Sequence, residues 1–316
     1  MPDEFESLTE SAGLLDLSSR SRLCVLGTDR VKFLHGQVTN DIAGLTDNTG
    51  CYAALVNAKG KMECDLFAYR LAEELLLDFE PGHTEAIRAR LEKFVIAEDV
   101  EIADVAPHFG LLSVQGPKAA DALKATNLPI PEEDFAVTKT EAEIHVINNP
   151  RLGTRGFDLF VPIDALADWK GRLSDAATPC SEAAFERARI LGTIPRFGVD
   201  LTKANLPPEG GLEDRAISYA KGCYIGQEVI ARIRTYGQVT RVLRGLRLDG
   251  PAATGDGVFL KDKQVGALTS VDSKSGAALS LIRRECNDPG TQLRVDTQNG
   301  SVTAQVATLP FERFAL

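Results

Sequence analysis

Apolar side chains recur at helical spacing in three stretches of the 316-residue chain. Ile87, Leu91, Phe94 and Val95 mark one helix, and Leu166, Trp169 and Leu173 mark a second, with Asp164 placed to cap it. The third stretch predicts a helix over Ile225 to Arg234. There Ile225, Val229 and Ile233 repeat every fourth residue, Ile230 widens the stripe, and Glu228, Arg232 and Arg234 fall off it. Elsewhere the alternation shortens to every second residue. Phe157, Leu159 and Val161 read as a strand, and Gly110 to Gly116 (GLLSVQG) as another, after which Pro117 opens a helix at the position proline tolerates best. Asn205 to Leu212 (NLPPEGGL) is too rich in proline and glycine for a regular element and reads as a loop.

After about Gln238 helical spacing disappears and short alternating runs take over. Val258 to Leu260, Val265 to Leu268 and Ala278 to Ile282 read as strands. Leu293 and Val295, then QNG, then Val302, Ala304 and Val306 read as a hairpin turning at Asn299-Gly300. The pattern predicts an α+β region over residues 1–237 and an all-β barrel or sandwich over 238–316.

With 44% hydrophobic residues, the chain can bury a large core. No apolar run reaches the roughly 18 residues of a membrane helix, and the acidic start MPDEFESLTE does not resemble a targeting segment, so a cytoplasmic protein without membrane attachment is expected. The formal charge of −10 argues against strong nucleic-acid binding. Arg232, Arg234, Arg241, Arg244 and Arg247 run the other way, either as a solvated helix face and strand edge or as a local anion site. Six cysteines are scattered without a CxxC, and the four histidines form no ligand pair, so neither a self-contained metal site nor disulfides are expected. Ala58-Lys59-Gly60-Lys61 lacks the spacing of a phosphate loop, and neither GxGxxG after a strand nor GxSxG occurs.

The chemistry that remains centres on KGCYIGQEVI, Lys221 to Ile230. Glu228 stands one turn before Arg232 and near the positive end of the helix dipole, which supports a helix start near Gly226. Cys223 falls just ahead of that start, where free backbone N–H groups and the Lys221 ammonium favour a thiolate. Such a cysteine serves as a nucleophile or soft ligand. Alternatively it is a small packed side chain, with Gly222 and Gly226 only shaping a turn.

The run KGCYIGQE resembles the signature of the YgfZ-type folate-binding proteins, relatives of the aminomethyltransferase (T-protein) of the glycine cleavage system. LDLSSRSRLCVLGTDRVKFLHGQVTNDI (Leu15 to Ile42), IPRFGVDL and LPPEGGL resemble earlier segments of that family. VGALTS (Val265 to Ser270) and AALSLIRR (Ala277 to Arg284) resemble strands of its terminal barrel. The resemblance implies three subdomains arranged like a clover leaf around a central hole that holds tetrahydrofolate, two of them interleaved in residues 1–237. In the transferase a glycine-rich turn carries two adjacent aspartates. Here that stretch reads GKMECDL, so Cys64 stands for the first and Asp65 alone remains. A thiol cannot replace a carboxylate that holds a proton beside an amine. A glutamate expected on the pterin edge falls at Thr154, while Arg189 matches an arginine of the folate pocket and would otherwise be a surface helix charge.

Asn57 to Lys61 and the signature cysteine resemble the accessory branch. Its members are implicated in assembling or repairing iron–sulfur clusters in client enzymes, including a radical enzyme that thiomethylates tRNA. The implied cofactor is tetrahydrofolate or a derivative, with no stable metal, and the implied partners are iron–sulfur client or assembly proteins. The implied folate-seating residues are Asp65, Arg189, Asn57 and Tyr224, the last packing on the ligand or on the core. Cys223 is the chemical group, Lys221 favours its thiolate, and Gln227 and Glu228 fix the helix start. A folate-dependent aminomethyltransferase or demethylase is the alternative, and a non-catalytic scaffold the second.

Overall fold

The computed structural model of the chain describes residues 3–308 and residue 311. Residues 1–2, and 309–310 and 312–316 of the expected C-terminal domain, lie outside the described residues. The chain folds as two compact units. One comprises Met1–Asn57, Glu63–Phe185 and Arg215–Ile225; the other comprises Ala58–Met62, Glu186–Asp214 and Gly226–Leu316.

In chain order the strands before residue 180 are β1 (Gly13–Asp16), β2 (Ser21–Leu26), β3 (Thr49–Val56), β4 (Met62–Arg70), β5 (Leu75–Phe79), β6 (Glu101–Asp104), β7 (Phe109–Gln115), β8 (Val137–Lys139), β9 (His145–Asn148), β10 (Gly156–Pro162) and β11 (Thr178–Pro179). They form a five-stranded sheet ordered β3-β4-β5-β2-β6 and a six-stranded sheet ordered β11-β1-β7-β10-β9-β8. Alternation along β7 and β10 divides the six-stranded sheet into two faces. Leu112, Val114, Phe157, Leu159 and Val161 share a core with Ala122 and Leu123 of helix Ala119–Ala125 and with Trp169 and Leu173 of helix Leu166–Ser174. Asp158 and Phe160 alternate with them onto the opposite face, where Phe160 meets Tyr69 of β4 edge-on, ring centroids 6.2 Å apart.

The alternating pattern after residue 238 closes into a barrel. Its strands are β12 (Arg241–Leu248), β13 (Gly257–Leu260), β14 (Lys263–Asp272), β15 (Ala277–Arg283), β16 (Gln292–Thr297) and β17 (Gly300–Val306), ordered β12-β15-β14-β13-β16-β17 around the closure. Leu246, Val258, Val265, Ala278, Ile282, Val295 and Val306 fill it, and closure leaves no unpaired sheet edge. Gly266 is required for that packing, since a Cβ there would lie 2.7 Å from the Leu281 carbonyl oxygen.

Some local expectations shift. Asp164 does not cap the helix Leu166–Ser174; Ala165 stands at the cap, without a side-chain hydrogen bond. Within Asn205 to Leu212, Pro207–Gly210 forms a 3-10 turn, and Glu209 accepts the Leu206 N–H at 2.8 Å. The hairpin pairs Thr297 with Gly300, which places Gln298 and Asn299 in the turn and the positive φ, +129°, on Gly300.

Candidate functional site

The Cys223 segment is held from both sides. Lys221 is buried, and its ammonium donates to the carbonyl oxygens of His35 (2.5 Å), Val38 (2.8 Å) and Asn40 (2.8 Å), at and beyond the end of helix Arg30–Gln37. The His35 and Val38 carbonyls are left over where that helix ends, and a cation there also suits the helix dipole. Burial pushes the Lys221 amine down to about 8. Two residues past Cys223, the Ile225 N–H donates to the Gly36 carbonyl at 3.1 Å. Tyr224 packs inward, 8% exposed, with the Lys221 ammonium 4.9 Å from its ring centre. Cys223 is exposed between these anchors; Cys24, Cys51, Cys64 and Cys286 are buried and Cys180 half-buried.

This geometry corrects the role expected of Lys221. Its three N–H bonds are committed to carbonyls, so it anchors the segment and is not reserved for the thiol. The helix begins close to the expected place, Gln227–Tyr236, but neither Gln227 nor Glu228 caps it. Gly226 stands at the cap with φ +81°, a conformation that favours glycine, and Glu228 instead accepts from Arg232 at 2.8 Å on an exposed helix face.

Asp65 lies on the five-stranded sheet, 8% exposed. The Tyr52 hydroxyl donates to its Oδ2 at 2.6 Å. Burial, with a smaller contribution from Glu80, raises the carboxyl to about 6 against the lowering effect of the Tyr52 bond. Neighbouring Cys64 is fully buried, and Asn57, just past β3, is half-buried. Along the same face, Phe67 stacks near Tyr52 with centroids 5.0 Å apart, and the Arg151 guanidinium sits 4.9 Å from the Phe67 ring centre.

Arg151 joins the two sheets of this unit. It donates to Asp158 of β10 at 2.9 Å and to Asp78 of β5, and Arg20 also donates to Asp78, at 2.8 Å. Burial opposes ionisation of Asp78, but the two guanidinium groups outweigh it and hold the carboxyl below its ordinary range. Asn149 donates to the Tyr69 hydroxyl at 3.0 Å and to Asp158 at 2.8 Å. Thr154, in the turn leading into β10, is 9% exposed, and its Oγ1 has no hydrogen-bond partner among the described residues. None of these partners except Asp65 and Thr154 was anticipated. The signal was present as single charges inside otherwise apolar strands, Asp78 in LLLDF and Asp158 in GFDLFVP, which only a buried countercharge makes tolerable.

Arg189 belongs to the other unit and is not a surface charge. It is 2% exposed and donates to Glu186 at 2.6 Å, Asp200 at 2.7 Å and the Ser270 hydroxyl at 2.8 Å. It therefore ties the helix Glu182–Leu191 to β14 of the barrel. Of the arginine run, Arg232 pairs with Glu228, while Arg241, Arg244 and Arg247 lie on β12. Among the described residues no cluster of three or more His, Cys, Asp or Glu side chains could hold a metal ion, and no helix is long and apolar enough to cross a membrane.

The fold is that of an aminomethyltransferase. The crystal structure of the glycine cleavage system aminomethyltransferase T from Bartonella henselae superposes with a TM-score of 0.89, covering 98% of this chain and 89% of that one at 22% identity. Residues 1–221 match the GCVT N-terminal domain, and the chain belongs to that family. Among curated relatives, an aminomethyltransferase of Staphylococcus haemolyticus is 29% identical over 97% of this chain and 90% of its own length. A putative chloroplastic transferase of Arabidopsis thaliana is 30% identical over 94% of this chain and 71% of its own.

Proposed function

We propose that this chain is a tetrahydrofolate-binding accessory protein of the YgfZ type within its family, serving assembly or repair of iron–sulfur clusters in client enzymes, with Cys223 as its chemical group. The observation that carries this reading is the exposed thiol on a segment pinned by the Lys221 ammonium on one side and the Ile225 N–H on the other. Pinning lowers the entropy lost when the thiol engages a partner, and exposure keeps it accessible. One cysteine cannot hold a cluster alone, so any cluster or sulfur species is shared with another protein or a small thiol and is cargo here.

Two residues of the unit that contains Asp65 fit a folate. Thr154 offers a buried hydroxyl with no partner, a costly state unless a ligand or water satisfies it. Asp65 offers a carboxyl able to hold a proton near neutral pH. Bound tetrahydrofolate would supply amine nitrogens able to carry a one-carbon unit. Asp65 and Thr154 would hold it, and the family resemblance adds Asn57 and Tyr224; Arg189, also implied by the resemblance, is instead committed to Glu186, Asp200 and Ser270. The raised Asp65 carboxyl also favours a second reading, an aminomethyltransferase or demethylase, against which the buried Cys64 and the hydroxyl of Thr154, where a glutamate is expected, both count. Turnover with tetrahydrofolate and a methylamine donor would establish it.

The test of the first reading replaces Cys223 by Ala in cells and measures tRNA thiomethylation and the cluster content of the thiomethylating enzyme. Loss of both with an unchanged unfolding midpoint supports the thiol's role. Full activity removes it, and a scaffold without chemistry then gains ground if every cysteine can be replaced harmlessly.

A further inference from the structure

Asp65 has a neighbour that its sequence context hides. The β4–β5 ladder ends at the pair Phe67 and Asp78, and the same register carried two residues further directs Asp65 of β4 toward Glu80, the residue just past β5, on the face shared by Phe67 and Asp78. In the β2–β5 ladder Ser21 pairs with Phe79 and Arg22 with Asp78, which puts Arg20 opposite Glu80 from the other side. The Arg20 guanidinium does donate to a Glu80 carboxylate oxygen. With the Tyr52 hydroxyl on Asp65 Oδ2, a polar row crosses four strands in the order Tyr52, Asp65, Glu80, Arg20.

Residues directly opposite in an antiparallel pair have Cβ atoms about 5 Å apart, and two carboxylates so placed repel when both are ionised. The ends of the row decide which one gives way. Arg20 favours the ionised form of Glu80, whereas among the described residues Asp65 has no countercharge at bonding distance and meets a neutral phenol. We infer that Asp65 and Glu80 share one proton as a cross-strand carboxylate pair, so that Glu80 supplies the acid–base partner that Cys64 cannot. Glu80 acts through Asp65 and is a positioning residue. The inference rests on the folate reading for its use, since the nitrogen that would exchange a proton with Asp65 is the folate amine.

The groups facing the pair bear on its titration. Asp78 on β5 and Arg22 on β2 form the next row, and Arg151 and Asp158 reach it from the six-stranded sheet. Arg215 lies 5.5 Å from the Tyr52 ring centre. Asp78 and Asp158 both bond Arg151, so these charges largely cancel each other and leave Glu80 as the group whose removal changes the charge beside Asp65.

The experiment follows the carboxyl carbons of 13C-labelled protein by NMR from pH 3 to 9 in the wild type and in Glu80→Gln, Glu80→Asp and Asp65→Asn. In the wild type Asp65 titrates near 6. Glu80→Gln lowers that midpoint by about one pH unit or more, Glu80→Asp restores it, and Asp65→Asn lowers the midpoint of Glu80 in return. Midpoints that do not move in either direction overturn the pair. Should Glu80→Gln fold poorly because Arg20 loses its partner, the reciprocal shift of Glu80 in Asp65→Asn decides alone. Tetrahydrofolate binding measured on the same samples separates the two claims: coupled titration without binding leaves the pair standing and removes the folate reading.

Discussion

Replacing Asp65 by Asn should stabilise the protein, by an amount that depends on pH. The carboxyl rises from 3.8 to about 6 on folding, so the unfolded chain gives up this proton more readily than the folded one. Between those values the folded state binds more protons, and stability falls as pH rises through the interval. The difference of 2.2 units, at 1.36 kcal/mol each, is about 3 kcal/mol lost by pH 7. Asn keeps the shape and an oxygen that accepts the Tyr52 hydroxyl, but carries no charge to bury. The variant is therefore expected to be more stable than wild type by up to about 3 kcal/mol at pH 7.5, with the gap shrinking toward zero by pH 3.5. Asp78, whose depressed carboxyl favours folding above its own titration range, is present in both proteins and cancels in the difference. Urea unfolding at the two pH values, followed by the single tryptophan, Trp169, reports on the unit that contains Asp65. Equal gaps at the two pH values, or a variant less stable at pH 7.5, would refute the reasoning.

Two further outcomes concern the cysteine segment. Lys221→Met strands three carbonyl oxygens and should cost about 3 kcal/mol at pH 7, at roughly 1 kcal/mol per lost bond; unchanged stability with a slower Cys223 would instead return the ammonium to the thiol. Brief iodoacetamide treatment of the native protein followed by peptide mass spectrometry should label Cys223 first, because burial pushes the Cys51 and Cys180 thiols up to about 12; first labelling at any other cysteine contradicts the exposed placement.

What could be read from the chain beforehand follows from the range of the interactions involved. Helix and strand periodicity is local, so Thr84–Glu92, Leu166–Ser174, Gln227–Tyr236 and the barrel strands from β13 on were legible, although Phe94 and Val95 fall past the first helix and β12 was read only as an exposed strand edge. The cap and the turn each moved by one position, to Ala165 without a side-chain bond and to Gln298-Asn299. The polar interior was not legible. Arg151 reaches Asp78 across 73 positions of sequence, and Lys221 reaches His35 across 186, so neither partner could be assigned before the chain was folded. Asp65 and Cys223 were found through the motif, whereas Glu80 emerges only from the ladder register.

The most direct measurement is a calorimetric titration of tetrahydrofolate into the purified protein beside Asp65→Ala. Saturable binding to the wild type that weakens in the variant is the predicted result, placing the ligand against the Asp65 carboxyl. No heat of binding in the wild type, or equal affinity in both proteins, would contradict it and leave Cys223 as the remaining functional group.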